Sequence, residues 1–245
     1  AMAGGGYVTV IPQTWKGKKG AALREGITKA RELLSEYNAI NNDDDTDHEC
    51  KHNNNNNTIE PIIGFQELEK VDLIQHWDSI ARNFVSTTTS IDPPAGSASS
   101  IITTSTTTAA VADIVVPRRN DTLFQEFYPQ EQYHTEQFAN LFLNSLAKEM
   151  RIGFPTSLDW THGPVAFKAS LAPHWLDYKG ELWDAQLVPI INAFFSQDHG
   201  AQILSYEVLY RHPKSMKQQE EGSLLFNEKR LYQLNFLSKT VGQKM

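Results

Sequence analysis

Two long segments of this 245-residue chain lack the apolar spacing of a helix or a strand, and they limit what the rest can fold into. Residues 41–57 read NNDDDTDHECKHNNNNN, and residues 87–112 read TTTSIDPPAGSASSIITTSTTTAAVA. Neither segment has enough large apolar surface to offset its conformational entropy, so we expect both to be disordered insertions. Removing these 17 and 26 residues leaves 202 of the 245, which is about one domain.

The insertions also carry most of the negative charge. The formal net charge of the chain is −7, of which the first insertion holds −4 and the second −1. The part expected to fold therefore carries only −2. A nearly neutral domain does not repel an anionic ligand, and it lacks the broad basic field that a nucleic-acid-binding surface requires.

Cysteine content and hydropathy narrow the class of protein. The single cysteine, Cys50, excludes a disulfide scaffold and a cysteine-rich metal site. No apolar run approaches the roughly 18 residues of a membrane helix, and the first residues show no secretory signal. We therefore expect a protein of the cytoplasm or nucleus without membrane contact. The Asn and Ser/Thr tracts are a compositional hint of a eukaryotic intracellular protein.

Apolar spacing outside the insertions predicts an alternation of strands and helices. The helix expected after Asn120 and Asp121 is interrupted at Pro129, and its second part carries Phe138, Leu141, Phe142 and Leu146 on one face. The predicted elements are a strand at 7–11, helices at 20–40, 65–84 and 121–152, a strand at 164–172, a helix at 182–195, and strands at 201–211 and 224–237.

This order predicts a mixed α/β (α+β) fold, a single layered domain in which helices pack on a mixed sheet. The last two strands are expected to form a hairpin across 213–222, and the strand at 7–11 is expected to join the same sheet. One domain over 1–245 is the preferred division. The alternative is an N-terminal helical segment over 1–86 followed by a C-terminal α/β domain over 113–245.

The first candidate site is a lysine-rich loop between the first predicted strand and helix. Lys16, Lys18 and Lys19 alternate with two glycines there. A helix start offers free N–H groups and the positive end of the helix dipole, so an anion such as phosphate would fit among the lysines. The alternative is a basic turn in solvent.

The second candidate site is the run 159–178, which is rich in histidine, tryptophan and carboxylates. Because a strand separates His162 from His174, the two belong to opposite edges of the sheet. If strands 164–172 and 201–211 are parallel, His174, Asp177 and Tyr178 approach His212, and these four form a candidate acid/base catalytic group. The alternative is that these residues cap strand ends while Trp175 and Trp183 anchor the core.

Other motifs are weak. The sequence His48-x-Cys50-x-His52 is capable of metal binding but lies in the first insertion, where we expect only adventitious binding. No nucleotide-binding glycine motif, zinc-protease helix or serine-hydrolase elbow is present, so no cofactor and no metal are expected.

Three classes of function remain. The preferred prediction is a non-enzymatic subunit or adaptor of an intracellular assembly, which acts through contacts with other protein subunits. The second is an enzyme for a small-molecule or phosphate ligand that uses the His174–His212 edge or the lysine loop. The third is an RNA- or DNA-associated module, which rests on small basic clusters at 16–19, 118–119, 211–217 and 229–230 and is not favoured for a nearly neutral domain.

Overall fold

The computed structural model describes Thr14 and residues 17–43, 60–67, 69–85, 111–150, 154–155, 157–196, 200–212 and 222–244. The predicted strand at 7–11 and most of both predicted insertions lie outside these residues. Helix α1 ends at Asp43, just inside the first predicted insertion.

The described residues form a four-stranded mixed sheet with the order β1–β3–β2–β4. Strands β2 and β4 are parallel, whereas β3 is antiparallel to both β1 and β2. The predicted mixed α/β fold is therefore confirmed. The strands are β1 (Ile62–Phe65), β2 (Ile114–Arg119), β3 (Val165–Lys168) and β4 (Ile203–Val208).

Seven α-helices surround this sheet within the described residues. Asn120 caps α3 by accepting a hydrogen bond of 3.2 Å from the Leu123 backbone N–H. The helical structure is interrupted at Pro129, between α3 and α4, as predicted. The helices are α1 (Lys19–Asp43), α2 (Trp77–Ala81), α3 (Asp121–Phe127), α4 (Gln130–Met150), α5 (Ala172–Asp177), α6 (Asp184–Ser196) and α7 (Leu224–Gly242).

The prediction of a strand at 224–237 is wrong, because this segment lies within α7. The Ser223 side chain caps the helix by accepting a hydrogen bond of 3.2 Å from the Phe226 backbone N–H. Phe226, Gln233, Leu237 and Val241 are buried on one face, at helical steps of seven and four. The predicted hairpin with the preceding strand therefore does not exist.

Two other predictions need correction. The predicted helix at 65–84 is replaced by the end of β1, a 3₁₀ turn (Val71–His76) and the short α2. A side chain at Gly64 would lie 2.7 Å from the Trp77 ring, so the glycine lets this tryptophan cover β1. The predicted strand at 164–172 is only four residues long, and the chain continues through a 3₁₀ turn into α5.

Several strands have an end at the same edge of the sheet, which we call the carboxyl edge. Strands β1, β2 and β4 end there, and β3 begins there because it runs in the opposite direction. Strands β3 and β4 are therefore antiparallel in direction, with β2 between them. The parallel crossover predicted between them is wrong.

Both faces of the sheet are covered. On one face, Trp175 of α5 stacks on Phe167 of β3 with 3.9 Å between ring centroids, within a core built mainly from α1, α4, α6 and α7. On the other face, Leu73, Ile80 and Phe124 pack against Val115. Trp175 is thus a core anchor, whereas Trp183 is only partly buried against this core.

The start of α1 is packed against the backbone near Gly180. A Cβ atom at Gly20 would overlap the Gly180 carbonyl oxygen, whereas a Cβ at Gly26, later in the same helix, would have no neighbour within 4 Å. We expect Gly20→Ala to destabilise the fold by about 1–3 kcal/mol through overpacking. Gly26→Ala should stabilise it by up to about 1 kcal/mol, because alanine favours a helix more than glycine. Urea unfolding of both variants measures the free energy of unfolding. An equal change for the two variants would contradict the close packing at Gly20.

Candidate functional site

A stripe of four polar residues runs along the inner side of α4, namely Gln132, Glu136, Asn140 and Asn144. Asn144 accepts hydrogen bonds from the backbone N–H of Leu158 at 3.0 Å and from the Trp160 indole at 2.9 Å. The Asn140 amide donates to Asp159 at 2.8 Å. The stripe therefore fixes the loop that leads into β3.

Arg119, the last residue of β2, lies at the centre of this polar region and is only 2 % exposed. Its Nε and Nη2 donate to the two carboxylate oxygens of Asp159, both at 2.7 Å, and Nη1 donates to Glu136 at 2.7 Å. The guanidinium carbon also lies 3.7 Å from the centre of the Phe124 ring. Arg119 thus joins β2, α4 and the 158–161 loop through charged hydrogen bonds.

Glu136 is shared between two arginines. Its Oε2 accepts the bond from Arg119, and its Oε1 accepts hydrogen bonds from Arg230 of α7 at 2.7 Å and from Gln132 at 2.8 Å. This carboxylate therefore ties α7 to the polar stripe of α4. We call Arg119, Glu136, Asp159 and Arg230 the charge cluster.

The charge cluster keeps its carboxylates ionised. Burial would raise the pKa of Asp159, but the charge and hydrogen bonds of Arg119, together with the hydrogen bond from Asn140, outweigh burial, so this pKa lies well below its usual range. The pKa of Glu136 is lowered in the same way, since the charges of Arg119 and Arg230 outweigh its burial. The cluster thus contains two positive and two negative groups.

His162 lies beside this cluster at the carboxyl edge. Its Nδ1 is 3.0 Å from the Pro117 carbonyl oxygen, which means that Nδ1 carries the proton and donates. Burial, and then the charge of Arg119, lower the pKa of this imidazole to about 3. His162 is therefore neutral near pH 7.

The buried His162 predicts acid sensitivity. Its folded pKa lies below the unfolded value, so its contribution to stability is complete above about pH 6.5 and decreases as the pH falls towards 3. The unfolding free energy changes by at most about 1.4 kcal/mol per pH unit because of this residue. We expect His162→Gln to reduce the pH dependence of the unfolding free energy between pH 6 and pH 4. An unchanged slope in urea titrations would show that His162 is not buried in neutral form.

A cavity of about 270 Å³ lies between α4 and α7, directly over the charge cluster. Glu136, Thr161 and Arg230 provide its charged and polar floor. Its walls are largely apolar, and the remaining lining residues are His134, Thr135, Phe138, Ala139, Leu231, Gln233, Leu234 and Leu237. An apolar cavity with a few converging polar groups is the usual form of a binding site.

Large apolar side chains remain exposed around this cavity. Phe138 is 58 % exposed on α4, and Leu231 is 67 % exposed on α7. Phe138 and Phe142 stack on one another with ring centroids 6.4 Å apart. We call Phe138, Phe142, Leu231 and the cavity between them the α4–α7 surface.

The apolar face predicted for α4 is thus mostly not a core face. Leu141 is 70 % exposed, and of the four predicted residues only Leu146 packs against the core. The helix instead buries Ala139, Leu143 and Ala147 together with its polar stripe.

The structure does not bring together the predicted group of His174, Asp177, Tyr178 and His212. The first three follow β3 at the edge opposite to the carboxyl edge, where the Tyr178 hydroxyl donates to Asp184 at 2.6 Å. His212 follows β4 at the carboxyl edge, and its ring centroid lies 4.9 Å from that of Tyr128. The antiparallel direction of β3 is the physical reason for this separation.

The lysine loop is partly described. Lys16 lies outside the described residues, and Lys18 lies just before α1. Lys19, the first residue of α1, donates to Glu67 at 2.5 Å and to Gln186 at 3.2 Å. Lys19 therefore binds acceptors of the protein itself, and the anion site remains a prediction for the loop as a whole.

Several members of the predicted basic clusters pair with carboxylates, while residues 213–217 of the cluster at 211–217 lie outside the described residues. Arg118 binds Glu207 at 2.9 Å, and Arg119 and Arg230 both bind Glu136. These three arginines therefore do not form an open basic patch.

The metal prediction concerns His48, Cys50 and His52, which lie outside the described residues. Among the residues that the structure describes, no three metal-binding side chains converge. No helix in that part of the chain has the length and apolar character needed to cross a membrane.

The charge cluster is not among the sites predicted from the sequence. The available signal was the spacing of Gln132, Glu136, Asn140 and Asn144, which recur every four residues beside small apolar positions. Such a polar stripe on a helix flanked by Ala139, Leu143 and Ala147 indicates buried hydrogen bonding. Comparisons with protein-family models, curated proteins and solved structures return no match for this chain.

Proposed function

We propose that this protein is a non-enzymatic subunit or adaptor that binds a partner protein through the α4–α7 surface. The observation that carries the proposal is the apolar face of α4, on which Phe138 and Leu141 are exposed. An apolar face at helical spacing is normally the face that a helix buries. Among the described residues of the chain nothing covers this face, which supports a partner as its cover.

The α4–α7 surface has the composition of a binding interface. Contiguous exposed apolar residues around a pocket are typical of protein-binding sites, whereas scattered ones are ordinary. Aromatic residues such as Phe138 and Phe142 contribute large contact areas at such sites. The cavity between α4 and α7 gives a partner side chain a place to insert, as the central residues of many interfaces do.

A protein partner accounts for the exposed apolar side chains around the cavity, which we call the rim, better than a small molecule does. A ligand confined to the cavity of about 270 Å³ would cover the inner wall formed by Leu234 and Leu237. Phe138 and Leu231 also line the cavity but are 58 % and 67 % exposed, so such a ligand would cover only part of each side chain. A partner helix whose apolar residues recur every three or four positions would cover the rim and the cavity together.

The enzyme alternative rests on either the His174–His212 edge or the lysine loop. The first requires His174 and His212 at one edge of the sheet, whereas they follow antiparallel strands at opposite edges. The lysine loop stays a prediction. The adaptor proposal requires only the surface described above.

Affinity capture from native-host extract with matched variants tests the proposal. We expect the proteins retained by the wild-type chain to be lost, by at least tenfold, with Phe138→Glu or Leu231→Glu, because a buried carboxylate would face the partner's apolar residues. The matched control is Leu209→Glu, since Leu209 is 60 % exposed but does not line the cavity. Equal retention by all four chains would contradict a role for this surface.

A further inference from the structure

We propose that the α4–α7 cavity binds a carboxylate on an apolar stem, and that Arg230 is the group that recognises it. The inference rests on the proposed docking function and specifies the chemistry of the partner, namely an acidic side chain placed among large apolar residues.

The hydrogen-bonding capacity of Arg230 is only partly used. Its Nη1 donates to Glu136 at 2.7 Å and to Gln233 at 3.1 Å. Among the described residues, no acceptor binds its Nε, although that atom is buried, and none binds its Nη2. A buried donor without an acceptor is costly, so a ligand that supplies the acceptor gains free energy. Arg230 lines the cavity, and its Nε and Nη2 are the two donors of this guanidinium without an acceptor among the described residues.

The other polar groups of the cavity floor are already engaged. Glu136 accepts from Arg119, Arg230 and Gln132 through its two oxygens. The Thr161 hydroxyl accepts from Arg119 at 2.8 Å and is within 3.3 Å of an Asp159 oxygen. Of the three residues that form the cavity floor, only Arg230 thus keeps polar groups without a described partner, and because these are N–H donors the matching ligand is an acceptor.

A carboxylate fits this pair best. The two donors lie in one plane, and a carboxylate presents two oxygens in one plane, so both hydrogen bonds form together. Glu136 is the one carboxylate paired with Arg230 among the described residues, and it is shared with Arg119. Phe138, Leu231 and Leu234 surround the cavity, so the carboxylate must be joined to an apolar group.

The test uses the full chain with two small probes that differ only in the polar group, 3-phenylpropanoate and 3-phenylpropanamide. Nuclear magnetic resonance of the arginine Nε–H signals reports binding at each arginine separately. We expect the acid to move the Arg230 signal and to bind at least tenfold more tightly than the amide. The matched variant Arg230→Lys keeps the charge beside Glu136 but removes the planar donor pair, and it should abolish this preference.

Two outcomes would overturn the inference. One is equal affinity for acid and amide in the wild-type chain, and the other is an acid-induced shift at other arginines but not at Arg230. Neither outcome involves the variant, so an unfolded Arg230→Lys chain does not leave the question open. Both leave the docking proposal intact, because that proposal fails only if Phe138→Glu and Leu231→Glu retain the partner.

Discussion

Replacing Arg119 with methionine is expected to destabilise the fold by about 3–5 kcal/mol at neutral pH, because it leaves two buried carboxylates without their shared cation. Asp159 would lose the two hydrogen bonds from the Arg119 side chain and keep the one from the backbone N–H of residue 119. Glu136 would keep only its hydrogen bonds from Arg230 and Gln132. Urea unfolding at pH 7 measures the loss.

The neighbouring arginine provides the control. Arg118 is 38 % exposed at its side chain and pairs with Glu207 in solvent, so Arg118→Met should cost no more than about 1 kcal/mol. The pH dependence gives a second check. The wild-type pKa of Asp159 is lowered, so its contribution to stability is present above the unfolded pKa of about 3.9 and is lost on acidification. The deficit of Arg119→Met should therefore be largest near pH 7 and decrease below pH 4. A deficit that is small, or that does not change with pH, would contradict the charge cluster.

Trp175→Ala is expected to cost about 3–5 kcal/mol, the range for removal of a large buried aromatic side chain. Trp175 stacks on Phe167 in the middle of β3, with 9° between the ring planes. Removing the indole would leave a void between α5 and the sheet. Chemical denaturation measures the loss of unfolding free energy.

Trp175→Phe is the matched variant for this prediction. Phenylalanine retains a ring over Phe167, and it removes an indole N–H that has no acceptor among the described residues. We expect it to cost less than half of the alanine loss. If the two variants lose the same free energy, the stacked ring is not what makes Trp175 important.

The helices were the most predictable part of the fold. The cap at Asn120 marks the start of α3, and Pro129 separates α3 from α4. Both could be predicted because they act locally on the backbone. The error at α7 arose where Tyr232, Leu234 and Phe236 alternate as a strand would. Phe226 and Leu237 are both buried on one face of α7, so the segment follows the helical spacing of its apolar residues and not their alternation.

The strands were less predictable, because their pairing depends on distant residues. Strand β2 contains Pro117, which normally argues against a central strand. Strand β3 pairs with β2 only at Ile114 and Val115, so Pro117 lies beyond that ladder, and its carbonyl oxygen accepts from His162. Nothing near Pro117 in the sequence indicates this arrangement.

The candidate site could be predicted only in fragments. Arg119 and Arg230 were visible as members of basic clusters, and Asp159 as the start of a polar run. Their convergence on Glu136 depends on the packing of α7 beside α4, which local spacing does not determine. The apolar residues of α4 were identified correctly, but the side of the helix that the fold buries was not, because small residues such as Ala139 and Ala147 fit closest to the core.

Photo-crosslinking at a single position tests the central claim, that the α4–α7 surface binds a partner protein. The only cysteine, Cys50, is replaced by serine, and Leu231→Cys or the control Leu209→Cys is labelled with a benzophenone. After illumination in native-host extract, we expect Leu231→Cys to give one discrete covalent adduct, which Phe138→Glu in the same chain removes. Leu209→Cys should give none. Identical adducts at both positions, or an adduct at Leu231→Cys that persists with Phe138→Glu, would contradict the account.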